Sequence, residues 1–299
     1  MEDLEDSAIV VAHPDDENLW FSSLLARVGQ ILVCYRDVAA SPTLTAGRRE
    51  SLAAYPLSHI NCLGLCESDI FWGVDWSRAE ETDYGLRIND RRLSDRDYIA
   101  NFSRLKAQLV VRLLGRKHVF THNPWGEYGH PEHVQVYRAV RAVQSELGFT
   151  LWYNSYASNK SAGLMARVLA SGEHETFTLP TDKRLAGRIA DHYKQHQCWT
   201  WYPDYAWPET ESFIRDLVPP ASPERFGSTC PIIFIRIQPP PAIPSPWECR
   251  LNRWKGRVRR WGGRLRRLPR ALVSKRAQVS TVWTSSQPTT TARVTLTIP

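Results

Sequence analysis

Short apolar runs along the chain alternate with longer stretches in which apolar residues recur at helical spacing. Residues 7–12 (SAIVVA) are rich in β-branched side chains and predict a buried strand. A helical pattern follows and ends before Gly29; its apolar positions are Leu19, Trp20, Leu24, Leu25 and Val28. Residues 31–35 form the next apolar run. This strand–helix–strand order with short connections predicts a βαβ unit, and therefore a parallel sheet.

The same alternation continues as far as residue 237. The predicted helices cover residues 47–57, 98–114, 131–147 and 181–196, and the predicted strands cover 118–121, 150–156 and 231–237. Residues 68–96 are polar and have no clear period, and we interpret them as a long loop or insertion. The pattern as a whole predicts an α/β fold.

The composition changes at a proline-rich stretch late in the chain. Residues 239–246 contain five prolines, which predicts a stiff linker over residues 239–249. We therefore expect one folded domain over residues 1–238, followed by a basic segment over 250–276. The last part, residues 277–299, is rich in Ser and Thr and is predicted to be disordered.

The charge of the chain is unevenly distributed. The 299 residues carry a formal net charge of +7, from 38 basic and 31 acidic residues. Residues 250–299 contain 13 of the basic residues and none of the acidic ones, so residues 1–249 carry 25 basic against 31 acidic residues. The folded part is thus mildly acidic, and we expect it to bind no specific nucleic acid.

The basic segment, residues 250–276, has its own periodicity. Its apolar residues recur at steps of 4, 3, 4, 3 and 4, with arginines between them: Trp254, Val258, Trp261, Leu265, Leu268 and Leu272. This pattern is typical of an amphipathic helix lying on an anionic membrane surface. Gly262, Gly263 and Pro269 weaken the helix. A disordered tail without a partner, or a segment that binds another polyanion, remain alternative interpretations.

Targeting and redox features indicate a cytoplasmic protein. No apolar run reaches the roughly 18 residues of a membrane span, and the acidic N-terminus is neither a signal nor a transit peptide. The six cysteines are scattered, which indicates reduced thiols. We expect a cytoplasmic location, peripheral at a membrane if the basic segment binds one.

Two polar clusters follow predicted strands. The first, residues 12–17 (AHPDDE), lies at the end of the first strand, and the second, residues 122–133 (HNPWGEYGHPEH), follows the strand at 118–121. The carboxyl ends of parallel strands share one edge of a sheet, and open α/β sheets bind their ligands there. Although more than a hundred residues separate the clusters, we expect them to converge on one cleft.

The residue types in these clusters suit a catalytic zinc site. His13 and Asp16 can face one ion across a proline-stiffened turn, with His133 as a third ligand, leaving one position for water. Zinc lowers the pKa of water to roughly 7 and polarises a carbonyl oxygen. The alternative is structural, since an HPDD turn often caps a helix and the second cluster is by default a polar loop.

Residues beside these ligands suit acid–base chemistry. Asp15 is adjacent to Asp16 but faces differently, so it is a candidate to take the proton of the attacking water. His130 and Tyr128 are candidates to stabilise an oxyanion or to protonate a leaving nitrogen.

The two clusters resemble the signatures of the PIG-L/LmbE family of zinc-dependent N-acetylglucosaminyl deacetylases. The family's AHPDDE signature is intact at residues 12–17. Its second signature, a tyrosine before Gly-His-Pro-Asp-His, is present at residues 128–133 as YGHPEH. The resemblance covers residues 7 to about 237 and implies a Rossmann-like parallel sheet with helices on both faces. No GxGxxG follows the first strand, so the fold is not expected to bind a dinucleotide.

The resemblance also implies roles for the residues that match the signatures. One zinc ion per chain would be held by His13, Asp16 and His133. Asp15 would be the general base.

The same resemblance implies supporting roles and shows two departures. His130 would assist at the oxyanion or the leaving group, and Tyr128 would be a mobile residue contacting the tetrahedral intermediate. Glu132 stands where the family usually has Asp. A substrate-binding arginine of the family matches Arg48 or Arg49, and the sequence does not decide between them.

The implied function is hydrolysis of the N-acetyl group of an N-acetylglucosamine-type sugar in a glycoconjugate. Two alternatives stay open: a zinc amidase for another amide-linked sugar or thiol conjugate, and a non-catalytic glycan- or membrane-binding module. Residues 198–207 contain five aromatic side chains, which could stack on sugar rings. For at least half of them we favour ordinary core or lid packing.

Overall fold

A seven-stranded sheet forms the centre of the computed structural model, which describes residues 4–170, 174–217, 230–235, 237 and 290–294. Its strands, in spatial order, are β3 (Ile60–Cys66), β2 (Gln30–Asp37), β1 (Ser7–Val11), β6 (His118–Thr121), β7 (Thr150–Asn154), β10 (Thr210–Arg215) and β9 (Thr176–Pro180). The first five are parallel, and β10 is antiparallel to both of its neighbours. The predicted α/β fold with a largely parallel sheet is confirmed.

Six helices accompany the described strands. They are α1 (Asp16–Trp20), α2 (Pro42–Ala53), α3 (Arg96–Arg112), α4 (Pro131–Leu147), α5 (Ala162–Leu169) and α6 (Lys183–Gln195). The remaining strands form a small sheet and a hairpin: β8 (Tyr156–Ser158), β11 (Cys230–Ile235) and β12 (Thr290–Val294) in the sheet, and β4 (Glu81–Thr82) with β5 (Gly85–Leu86) in the hairpin.

Two hydrophobic cores lie on opposite faces of the large sheet. Successive side chains of a strand point to opposite faces, so Ala8 and Val10 of β1 join one core and Ile9 and Val11 join the other. Residues of α3 and α4 pack in the first core, and residues of α1 and α6 pack in the second. Helices therefore cover both faces, as the sequence and the resemblance predicted.

In the structure α1 ends at Trp20, so the helix predicted to run up to Gly29 is much shorter than expected. The backbone N–H groups of Ser22 and Ser23 donate to the two carboxylate oxygens of Glu211, at 3.2 and 2.7 Å, instead of continuing the helix. Gly29 is not a helix cap. A Cβ there would lie 2.0 Å from the carbonyl oxygen of Glu5, so the close approach of two backbones requires glycine.

Other predicted elements differ in extent. The helix predicted over 47–57 starts earlier, at Pro42, where Ser41 caps it. The strand predicted over 150–156 is divided between β7 and β8, which belong to different sheets. Strands β3, β9 and β10 were missed; β3 and β9 are only partly buried and lack the clear alternation that predicts a strand.

The polar segment 68–96 contains more structure than the predicted loop, since it holds the β4–β5 hairpin and a short 3₁₀ helix over Trp76–Arg78. Within the predicted disordered tail, Thr290–Val294 form β12, antiparallel to β11. This stretch is rich in β-branched residues, which favour strands. The predicted linker over 239–249 and basic segment over 250–276 lie outside the described residues.

Candidate metal centre

Both polar clusters lie at the carboxyl ends of neighbouring strands. β1 pairs in parallel with β6, with Val10 opposite Thr121. The first cluster leaves β1 and enters α1, and the second leaves β6 and enters α4. The expected convergence of the two clusters is therefore present in the structure.

The turn between β1 and α1 holds its side chains in unusual backbone geometry. Asp15 has a φ of 96°, a left-handed conformation that is rare for a residue other than glycine. Its side chain makes no capping bond to α1. The backbone N–H of His13 donates to Oδ2 of Asp16 at 2.7 Å. A simple helix cap therefore does not account for this turn.

Asp16 lies between two histidines, each of which belongs to a buried group that could hold a metal ion: His13 with His130 and His133, and His133 with Asp16 and His122. Its Oδ2 is 3.1 Å from Nδ1 of His13 and 3.3 Å from Nε2 of His133. Ligand bonds of 2.0–2.1 Å at tetrahedral angles would place two ligand atoms about 3.3 Å apart. Nε2 of His133 is buried and makes no hydrogen bond. A buried nitrogen without a hydrogen-bond partner destabilises the folded state unless a partner such as a metal ion binds it.

The opposite nitrogen of His133 is fixed by a buried carboxylate. Glu127 Oε2 accepts from Nδ1 of His133 at 2.6 Å, and Oε1 accepts from Nδ1 of His122 at 3.1 Å. The two histidines outweigh burial and hold the pKa of Glu127 at about 2. Proton donation from Nδ1 leaves the lone pair of His133 on Nε2, the nitrogen that faces Asp16.

His122 is close to this group, but both of its ring nitrogens have hydrogen-bond partners. Its Nε2 accepts the backbone N–H of Ala12 at 2.8 Å, so that lone pair is not free for a metal. The ring instead links the end of β1 to Glu127. Glu127 and His122 had no predicted role; their place inside the second cluster was the only signal for them.

His13 is oriented by a second carboxylate. Its Nε2 lies 2.9 Å from Oε2 of Glu132, whose Oε1 accepts the backbone N–H of Ser68 at 2.6 Å. Glu67 is also near this nitrogen, at 3.6 Å, and pairs with Arg48. The longer arm of Glu132 thus reaches across to the histidine of the other cluster.

The two candidate arginines are placed differently. Arg48 is buried and its ion pair with Glu67 brings it to the site. Arg49 instead pairs with Asp37 at 3.0 Å, and its side chain is 56% exposed. Consecutive residues of a helix point about 100° apart, so only one of the pair can face inward. Arg48 therefore lies beside the candidate site and Arg49 faces away from it, and a substrate contact by either stays a prediction.

The Asp15 carboxyl group is buried beside the candidate ligands. Burial and the neighbouring Asp16 raise the pKa of Asp15 to about 8. Its Oδ2 accepts two hydrogen bonds from Thr200, which follows α6. Thr200 could not be singled out from the sequence, because nothing local marks a contact between residues this far apart.

His130 and Tyr128 line the same cleft. Nδ1 of His130 accepts the backbone N–H of Glu132 at 3.2 Å, which leaves Nε2–H as the donor of the neutral ring. Burial and the nearby rings of His133 and His13 hold the pKa of His130 well below its usual value. The Tyr128 ring lies 5.3 Å from that of His133. The structure thus brings both residues to the candidate metal site.

Aromatic side chains from two other segments border the cleft. Trp201 packs 4.8 Å from Tyr128 and 5.2 Å from Trp20, measured between ring centroids. Phe71, from the segment predicted as a loop, lies 4.9 Å from the ring of His130. The aromatic stretch therefore contributes packing at the site, and the 68–96 segment supplies a wall that the sequence pattern did not indicate.

The family model that matches the chain is PIG-L, described as GlcNAc-PI de-N-acetylase, over residues 8–144. The match covers 137 of the 299 residues. All nine site residues predicted from the sequence lie within this PIG-L region. This match supports a deacetylase. No curated protein matches the chain.

Solved structures similar to this chain include three deacetylase structures. A deacetylase of teicoplanin biosynthesis, in complex with teicoplanin, is 14% identical with a TM-score of 0.42, covering 71% of this chain and 100% of its own. The A40926 pseudoaglycone deacetylase Dbv21 is 13% identical, with a TM-score of 0.46 and coverages of 74% and 100%. The zinc-inhibited form of teicoplanin deacetylase Orf2 is 12% identical, with a TM-score of 0.45 and coverages of 70% and 97%.

Among the described helices, none is both long and apolar enough to cross a membrane.

Proposed function

We propose that this protein is a zinc-dependent deacetylase that removes the N-acetyl group of an N-acetylglucosamine-type sugar in a glycoconjugate. The observation that carries the proposal is the bare, buried Nε2 of His133, 3.3 Å from the Asp16 carboxylate that also contacts His13. The match of residues 8–144 to the PIG-L family model supports the same chemistry.

One zinc ion per chain would be held by Nδ1 of His13, Oδ2 of Asp16 and Nε2 of His133. When bound, zinc lowers the pKa of a water molecule and polarises the carbonyl oxygen of the acetamide. The contacts of Glu132 with His13 and of Glu127 with His133 keep both rings turned towards this point.

Asp15 acts as the general base. Its carboxylate takes a proton from the attacking water while the water oxygen adds to the acetamide carbon. The C–N bond then breaks, the sugar nitrogen takes up a proton, and acetate leaves. Because burial and Asp16 raise the pKa of Asp15, the carboxylate holds a proton more readily than an exposed aspartate does.

His130 and Tyr128 serve the other side of the reaction. The Nε2–H of neutral His130 donates to the developing oxyanion or to the departing nitrogen. The ring of Tyr128 lies between His130 and Trp201, where it contacts the tetrahedral intermediate. Glu67 lies beside His13 and forms an ion pair with Arg48, so that the Glu67 carboxylate does not compete for the metal ion.

Acetate release from a panel of N-acetylglucosamine conjugates tests the proposal, together with zinc content by elemental analysis. We expect one zinc per chain, loss of activity with a strong chelator, and recovery on adding zinc. Asp15→Asn should keep its zinc and lose about a hundredfold or more of the turnover, the usual range for a general base. Turnover retained in this variant contradicts the mechanism, and faster cleavage of larger acyl groups than of acetyl favours the amidase alternative.

A further inference from the structure

We infer that Thr200 is a positioning residue that holds the Asp15 carboxylate in the orientation needed to accept a proton. This inference rests on the proposed function, in which Asp15 is the general base. The relevant segment, residues 198–207, was predicted only to pack or to stack on sugars. It reaches the base through Thr200, 185 positions away in the sequence.

Both hydrogen bonds of Thr200 go to the same oxygen of Asp15. The backbone N–H donates to Oδ2 at 2.8 Å, and the side-chain hydroxyl donates to Oδ2 at 2.7 Å. Neither donor occupies Oδ1. A carboxylate rotates readily about its two side-chain torsions, so two donors on one oxygen fix which oxygen faces the cleft. The proton from water is therefore received on Oδ1.

The segment that carries Thr200 is anchored on both sides of the contact. Before it, the backbone N–H of Cys198 donates to the carbonyl oxygen of Tyr193 at 3.0 Å. The neighbouring carbonyl of His196 packs against Gly47 so closely that a Cβ there would lie 2.2 Å away. After it, the indole N–H of Trp207 donates to the backbone oxygen of Asn18 at 2.7 Å. These contacts place Thr200 independently of Asp15.

Loss of the hydroxyl should therefore affect a single step. The hydrogen bonds that Thr200 donates go to Asp15 and not to His13, Asp16 or His133, so zinc content should not change. The substrate still binds, and the rate of proton transfer falls. We expect kcat to fall while KM stays within about twofold of its wild-type value.

Thr200→Val removes the hydroxyl at nearly constant shape, and Thr200→Ser restores it. A hydrogen bond to a charged group is worth about a tenfold to a hundredfold effect, so kcat should fall by about that factor in Thr200→Val and recover most of it in Thr200→Ser. The matched control is Thr178→Val, which removes a hydroxyl bonded to Ser212 on strands β9 and β10 and should leave kcat unchanged.

Two further measurements separate positioning from a general loss of structure. In an Asp15→Asn background, Thr200→Val should lower kcat by less than about twofold, because the two residues act on one step. A crystal structure of Thr200→Val should show the Asp15 carboxylate rotated, with the ligands unmoved. This second test does not depend on the substrate, so it also stands if acetate is not the product.

Several results would overturn the inference. One is a Thr200→Val variant in which both the orientation of the Asp15 side chain and kcat are unchanged. Another is a Thr200→Ser variant with a kcat as low as that of Thr200→Val. A third is an equal fold loss of kcat on adding Thr200→Val to the wild type and to Asp15→Asn. If Thr200→Val melts well below the wild type, Thr200→Ser and the double variant carry the test. Absence of acetate release from the wild type would count against the proposed function alone.

Discussion

The carboxylate of Glu127 offers a direct test of how the candidate metal ligand His133 is oriented. Glu127→Gln keeps the size of the side chain and replaces one oxygen by an NH₂ group. In the wild type, Oε2 accepts from His133, and Oε1 accepts from the side chains of His122 and Asn154 and the backbone N–H of Asn123. An NH₂ group at either position therefore faces a donor.

The less costly orientation turns the NH₂ group towards His133, where it meets one donor instead of three. Nδ1 of His133 must then accept, and its proton moves to Nε2, the nitrogen aimed at the metal position. Loss of a carboxylate behind a metal-binding histidine typically weakens metal affinity 10- to 100-fold. That range corresponds to about 1.4–2.7 kcal/mol of zinc-binding free energy.

Competition with a chromophoric chelator measures this effect on folded protein, with circular dichroism to confirm the fold. Glu211→Gln is the matched control. Glu211 is equally buried, and the hydrogen bonds that it accepts come from Ser22, Ser23 and Tyr156 instead of the candidate ligands. We expect the control to lower the melting temperature and to leave zinc affinity unchanged. Wild-type zinc affinity in Glu127→Gln would refute the assignment of His133 as a ligand oriented by Glu127.

Three further predictions address the fold, the candidate arginines and the basic segment. Gly29→Ala should destabilise the protein by about 1–3 kcal/mol in urea unfolding, because its Cβ would overlap a backbone carbonyl; an unchanged midpoint would contradict the packing. Arg48→Met should reduce activity by leaving Glu67 unpaired beside the metal position, whereas Arg49→Met, on an exposed pair, should change the free energy of unfolding by less than about 1 kcal/mol. Deleting residues 250–276 should abolish co-sedimentation with anionic liposomes at low salt, and equal sedimentation with and without this segment would remove the membrane interpretation.

The elements that sequence analysis placed correctly are those whose signals are local. β6 has the predicted bounds because it is a short apolar run, and α4 has the predicted bounds because Pro131 starts it and Gly148 ends it in a left-handed conformation. The helix predicted up to Gly29 failed for a distant reason. Glu211 takes the backbone donors of two residues nearly 190 positions away, and no local pattern records that.

The same distinction applies to the candidate site. That His13, Asp16 and His133 lie close together could be predicted, because their residue types and their places after strands are local facts. The choice between Arg48 and Arg49 could not, because it depends on which side of α2 faces Glu67. The contact of Thr200 with Asp15 was equally hidden, since it depends on how the segment after α6 returns to the β1–α1 turn.

The two clusters are also coupled in a way that their separate sequences do not indicate. His13 belongs to the first cluster, but the carboxylate that orients it, Glu132, belongs to the second. Asp16 belongs to the first cluster and lies against His133 of the second. Neither cluster can therefore form the site alone, and its geometry depends on the parallel pairing of β1 with β6. A change that shifts this strand register would disturb both histidines together, even if every side chain of the site were retained.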